Sequence, residues 1–157
     1  MPGNHDVDRD LIRSSSLGAN ARENIKEKTP SQIDTELRDL VTDELSEQIF
    51  FKPISEYNKF AARFQCDLSK DKLFWSEEFF FIDGVSLIIT GMNSILLSDE
   101  NDGQGNIIVP KAQIPLSSLG KANLILCHHP TDWWKCEDEI KQRLNKRCSV
   151  QLVGHKH

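Results

Sequence analysis

Asn123-Leu124-Ile125-Leu126-Cys127-His128-His129-Pro130 decides the fold reading of this chain. Residues 123–127 form a short apolar run of the kind that builds a strand buried on both faces. The run stops at two histidines and a proline, so chemistry-bearing side chains sit at the mouth of the strand. The same arrangement recurs at the end of the sequence, where Ser149–Val153 reads as a strand followed by Gly154-His155-Lys156-His157. Between them Glu137–Lys146 reads as a helix with Ile140 and Leu144 turned inward.

Working towards the N-terminus, Leu73–Trp75, Phe79–Ile82 and Val85–Thr90 read as strands, the last two joined as a hairpin at Asp83-Gly84. A loop over 101–106 precedes a short strand at Ile107–Val109. Ile33, Leu37, Leu40, Val41, Leu45 and Ile49 share one helical face. Ser31 is the expected N-cap of that helix, with Pro30 before it and Asp34 after it. Its acidic residues lie mostly off the apolar face and read as solvated surface. Pro53 ends the helix, and Ile54, Tyr57, Phe60, Ala61 and Phe64 suggest a second one. Residues 7–30 are polar and read as irregular chain or short helix. This succession indicates one mixed α/β domain over 1–157.

Composition excludes several classes. The chain has 157 residues and a net charge of -5, which argues against a general nucleic-acid-binding surface. Its most apolar stretch, 79–90, is broken by Asp83-Gly84, so no membrane span is expected. The start lacks the succession of a signal peptide, and the cytoplasm is the expected location. Cys66, Cys127, Cys136 and Cys148 contain no C-x-x-C pair, which points to reduced thiols rather than a redox or zinc-ribbon motif.

A third cluster stands near the start, Gly3-Asn4-His5-Asp6. Gly3 permits a tight turn. Asn4 offers a neutral carbonyl oxygen suited to a hard or borderline cation. His5 can donate a proton, and Asp6 can fix its tautomer. His128, at the end of its strand, can coordinate through one ring nitrogen. In extended chain His155 and His157 point the same way, towards neighbouring metals, while Lys156 faces elsewhere. Each cluster alone reads equally as a plain loop or turn; their combination is the signal.

The order Gly-Asn-His-Asp, His-x-Pro, Gly-His-x-His resembles the calcineurin-like metallophosphoesterase family. The resemblance covers the whole chain, including Pro2–Arg9, the 60–64 helix, Gly91-Met92-Asn93-Ser94 and His128–Trp134. It implies a layered β-sandwich flanked by helices, with a helical insertion near 31–65 that caps the site. It implies hydrolysis of a phosphate ester, mono- or diester, at two divalent metals (Mn, Fe or Zn) about 3.5–4 Å apart, a bridging hydroxide being the nucleophile. Asn4, His128 and His155 resemble ligands of one metal and His157 a ligand of the other. His5 resembles the acid or transition-state stabiliser, Asp6 its orienting partner, and His129 a packing or substrate-facing neighbour.

The family pattern also has two earlier blocks, Asp-x-His and Gly-Asp-x-x-Asp, which this sequence does not contain. The expectation is therefore a C-terminal part of a catalytic domain, starting at an internal or misassigned Met1, whose partner is the missing N-terminal part. Alone it is expected to hold one metal weakly through neutral ligands and to turn over little substrate. The alternatives are a non-catalytic remnant that binds one metal or a partner protein, and a structural zinc module built from Cys127, Cys136 or Cys148 with His155 and His157.

Overall fold

The computed structural model describes residues 1–81, 84–115, 121–135 and 137–155. Its element order is α1 (Arg9–Ser14), α2 (Ser16–Glu27), α3 (Pro30–Thr42), α4 (Ser55–Ala61), β1 (Trp75–Phe80), β2 (Ser86–Gly91), β3 (Lys121–Cys127), α5 (Glu137–Arg147) and β4 (Val150–Val153). The strands form one four-stranded sheet in the order β1-β2-β3-β4. β1 and β2 are antiparallel, whereas β2, β3 and β4 run parallel. The mixed α/β class follows directly. No helix among the described residues is long and apolar enough to cross a membrane.

Local chemistry explains where the elements begin. The stretch expected to be irregular chain or short helix holds two capped helices. Asp8 accepts from the Leu11 N–H at 2.9 Å and Ser15 from the Gly18 N–H at 3.1 Å. Ile12 and Ile25 then bury one face of each helix. Arg22 is buried with them. Its guanidinium donates to the Ile49 carbonyl at 2.7 Å and lies 5.0 Å over the Phe50 ring, and burial lowers its pKa to about 10. A buried arginine amid few apolar residues hides the helical period from a sequence reading.

α3 starts at Pro30 rather than after Ser31, because proline suits a first helical turn and Gln32 Oε1 accepts from the Thr29 N–H at 3.1 Å. Of its expected face Ile33 and Leu37 are buried, Leu45 is exposed, and the side chains of Leu40 and Val41 lie outside the described residues. The helix stops at Thr42. A π-helical turn over Glu47–Phe51 and a 3-10 turn over Lys52–Ile54 then drive Phe50, Phe51 and Ile54 into the core. Phe60 and Phe64, expected to pack inward, are both 59% exposed and touch each other at 5.3 Å.

The hairpin stands where it was expected. The Phe81 N–H donates to Val85 O at 2.9 Å, and Gly84 takes the positive φ of 71° that a tight turn asks of it, while Ile82 and Asp83 lie outside the described residues. β1 runs unbroken from Trp75, so the separate strand at Leu73–Trp75 is not formed. Ile107–Val109 is not a strand either; Ile107 makes one isolated bridge to Trp134. β3 alternates strictly, with Asn123, Ile125 and Cys127 buried and Ala122, Leu124 and Leu126 half-buried. The expectation of burial on both faces therefore fails, since α5 covers only one. Ile140 and Leu144 of α5 pack there with Ile125, Cys127, Met92 and Trp134, while the helices α1–α3 enclose a second core with Ile95, Leu96 and Leu97.

Candidate metal centre

Parallel pairing places the ends of β2, β3 and β4 on one edge of the sheet, the position where α/β proteins hold ligands. Pairing continues past the strand ends. The Met92 N–H donates to Leu126 O at 2.8 Å, the Gly154 N–H to Cys127 O at 3.1 Å and the His155 N–H to His128 O at 2.7 Å. His128 and His155 are thus held side by side by backbone, before any side chain acts.

The N-terminal loop closes on the same spot as a 3-10 turn over Asn4–Asp6. Gly3 is required there for a reason other than a turn, since its φ of -113° is open to any residue. A Cβ on Gly3 would stand 2.7 Å from Cε1 and 2.8 Å from Nδ1 of His128. The imidazole packs directly on the glycine backbone, and only glycine lets Asn4 approach it.

The outcome is a convergence of three electron-pair donors. Asn4 Oδ1 lies 3.0 Å from His128 Nε2, and His155 Nδ1 lies 3.1 Å from that same nitrogen. His128 Nε2 carries either one proton or one lone pair, so hydrogen bonding serves both contacts only by sharing it between them. A cation would instead accept a lone pair from each of the three donors. Donors about 2.1 Å from a shared ion stand about 3.0 Å apart at octahedral angles and about 3.4 Å apart at tetrahedral ones, so both distances agree with the octahedral case. Amide oxygen and imidazole nitrogen suit Mn, Fe or Zn. The residues therefore fit a divalent ion.

Burial lowers the pKa of His128 first, and the neighbouring His155 lowers it further, which keeps the ring neutral and able to ligate. Asn4 is buried and His128 and His155 are half-buried. Among the described residues no group of three or more His, Cys, Asp or Glu side chains gathers at metal-binding spacing. The set here is two histidines and an amide. His157, the expected ligand of a second metal, lies outside the described residues, as do Lys156 and Cys136.

Two other expected residues sit at the rim. His5 is exposed and borders a shallow depression of about 430 Å³ shared with Asp6, Val7, Asp8, Glu56, Tyr57 and Phe60. Asp6 spends a carboxylate oxygen on the Gly3 N–H at 2.8 Å, where it closes the loop carrying Asn4. That is a different partner from the His5 ring expected from the sequence. His129 is fully buried beneath the set, and its aromatic neighbour Trp133 also stands 5.0 Å from the His155 ring. Neither Trp133 nor Ser94, which bonds His129, stood out as a site residue in the sequence, because each is an ordinary residue without a ligating group. Cys127 is buried, and burial raises its thiol pKa to about 11.

No family model matches this chain, and neither the curated proteins nor the solved structures contain a match.

Proposed function

We propose that this chain builds one metal-binding wall of a metal-dependent phosphoesterase centre of the calcineurin-like kind, its sheet being one layer of that family's β-sandwich. The observation that carries the reading is the approach of Asn4 Oδ1 and His155 Nδ1 to His128 Nε2, at 3.0 and 3.1 Å. Asn4, His128 and His155 hold the ion. When bound, a divalent cation supplies positive charge that offsets the charge on phosphoryl oxygens.

The chain's own residues do the rest. Gly3 and Asp6 fix the loop so that the Asn4 carbonyl faces the two rings. His5, exposed at the rim of the adjoining depression, is placed to donate a proton to a departing oxygen. The buried His129 and the half-buried Trp133 exclude water from beneath the set.

Because the three donors are neutral, the chain by itself binds its ion less well than a set containing a carboxylate, and its turnover is low. The neutral character of the three donors also favours a second reading, a metal-binding module without catalysis. Inorganic phosphate separates the two. In the phosphoesterase reading, Mn²⁺ bound to the chain broadens the phosphorus-31 resonance of phosphate, and His128→Ala abolishes the effect. Binding of Mn²⁺ without any broadening beyond that of free Mn²⁺ supports the non-catalytic module.

A further inference from the structure

We propose that Ser94 is a positioning residue for the metal-binding set and acts through His129; this rests on the metal-binding reading above. The Ser94 hydroxyl oxygen accepts from the His129 backbone N–H at 3.3 Å and lies 3.0 Å from His129 Nδ1. One hydroxyl thus fixes both the main chain and the ring of the residue that follows His128. The Trp134 indole N–H donates to the His129 carbonyl at 3.2 Å and closes the loop from the other side.

His129 transmits this restraint by contact. Its ring is fully buried, stacks on Trp133 at 5.9 Å and 19°, and meets the His128 ring edge-on at 4.9 Å. It also lies 5.6 Å from the His155 ring. A single imidazole therefore backs both histidines of the set, while its Nε2 has no partner among the described residues. Rotation of His129 moves the surface against which His128 and His155 are seated.

Ser94 is itself rigidly mounted. The Asn93 N–H donates to Gln113 Oε1 at 2.6 Å, the Gln113 amide returns a bond to Asn93 O at 3.0 Å, and the Ile95 N–H donates to Asn93 Oδ1 at 3.1 Å. Met92, Asn93, Ser94 and Gln113 are all buried. A run of polar residues this deep, in which Asn93 Nδ2 has no partner among the described residues, is costly unless it holds something in place. Here it carries the hydroxyl to the back of the donor set. Outer partners of this kind set ligand orientation and contribute about 10–100-fold to metal affinity.

The test is Zn²⁺ titration of the full 157-residue chain, with thermal melting alongside. Ser94→Ala is expected to weaken Zn²⁺ binding by about 10–100-fold. Leu37→Ala, in the second core enclosed by α1–α3, is expected to lower the melting temperature and leave Zn²⁺ affinity unchanged. In a His129→Phe background the Ser94→Ala change should cost much less further affinity, because the hydroxyl has lost the ring contact and keeps only the main-chain bond. Unchanged affinity in Ser94→Ala, or equal additional loss in the His129→Phe background, overturns the proposal. A wild-type chain that binds no Zn²⁺ overturns the metal reading instead. Positioning is then judged on imidazole NMR signals of the metal-free chain, where Ser94→Ala must shift His128 and His155 or the proposal fails.

Discussion

On one face of the sheet Ser86, Thr90, Asn123, Ile125 and Cys127 are buried, with α5 packed over Ile125 and Cys127, and only Phe80 and Val153 at its margins are strongly exposed among its described apolar residues. On the other, Leu87, Ile89, Ala122, Leu124 and Leu126 are only half-buried, and Phe79, Val150 and Leu152 are 44%, 45% and 51% exposed. The register places each set on one side, since Leu124 pairs with Ile89 and Val150, and Leu126 with Leu152. The open face is at least as apolar as the covered one. Composition therefore marks both faces for burial while the described residues layer only one, and an apolar face of this kind is what the proposed second sandwich layer covers. Substitutions on the two faces should differ accordingly.

The largest difference belongs to the covered side. Leu144→Ala should lower unfolding free energy by about 2–5 kcal/mol in urea, because the space it leaves lies among packed neighbours. The next effect is acid sensitivity. Burial first, and then the nearby His128 and His155, lower the pKa of His129 to about 4. The unfolded chain takes up that proton near pH 6.5 and the folded chain does not. Stability from this group is thus whole above about pH 6.5 and is lost as pH falls towards about 4, by on the order of 3 kcal/mol. His129→Phe should flatten that part of the stability–pH curve.

Gly3→Ala comes third. The added methyl meets the His128 ring, and displacement should cost about 1–3 kcal/mol and weaken metal binding as well. Smallest is the open face, where Leu152→Ser should change stability by no more than about 0.5 kcal/mol while reducing binding of an apolar dye. A loss at Leu152 as large as that at Leu144 would show that something already covers the open face.

Legibility in the sequence followed the type of signal. Strands β2, β3 and β4, the hairpin at Gly84 and α5 were readable because alternation, turn chemistry and helical period agree there. Helices α1 and α2 were not, since Arg22 fills a core position and the caps at Asp8 and Ser15 are single polar residues in polar surroundings. The break at Thr42 and the π-helical turn that buries Phe50 and Phe51 obey tertiary packing rather than a 3.6-residue period. In the site, Asn4, His128 and His155 were nameable by type and order, and the structure brings those three together. The need for Gly3 and the brace from Ser94 depend on close approach or on contacts across more than thirty residues. Such contacts leave no local pattern to read.

Titration of the metal-free chain with Co²⁺, followed by visible absorption, bears most directly on the donor set. The account requires one ion per chain with a spectrum of nitrogen and oxygen ligands and no thiolate band, lost in His128→Ala and in His155→Ala. Absence of binding, or an unaltered spectrum in both variants, would contradict the assignment of Asn4, His128 and His155 as one metal-binding set.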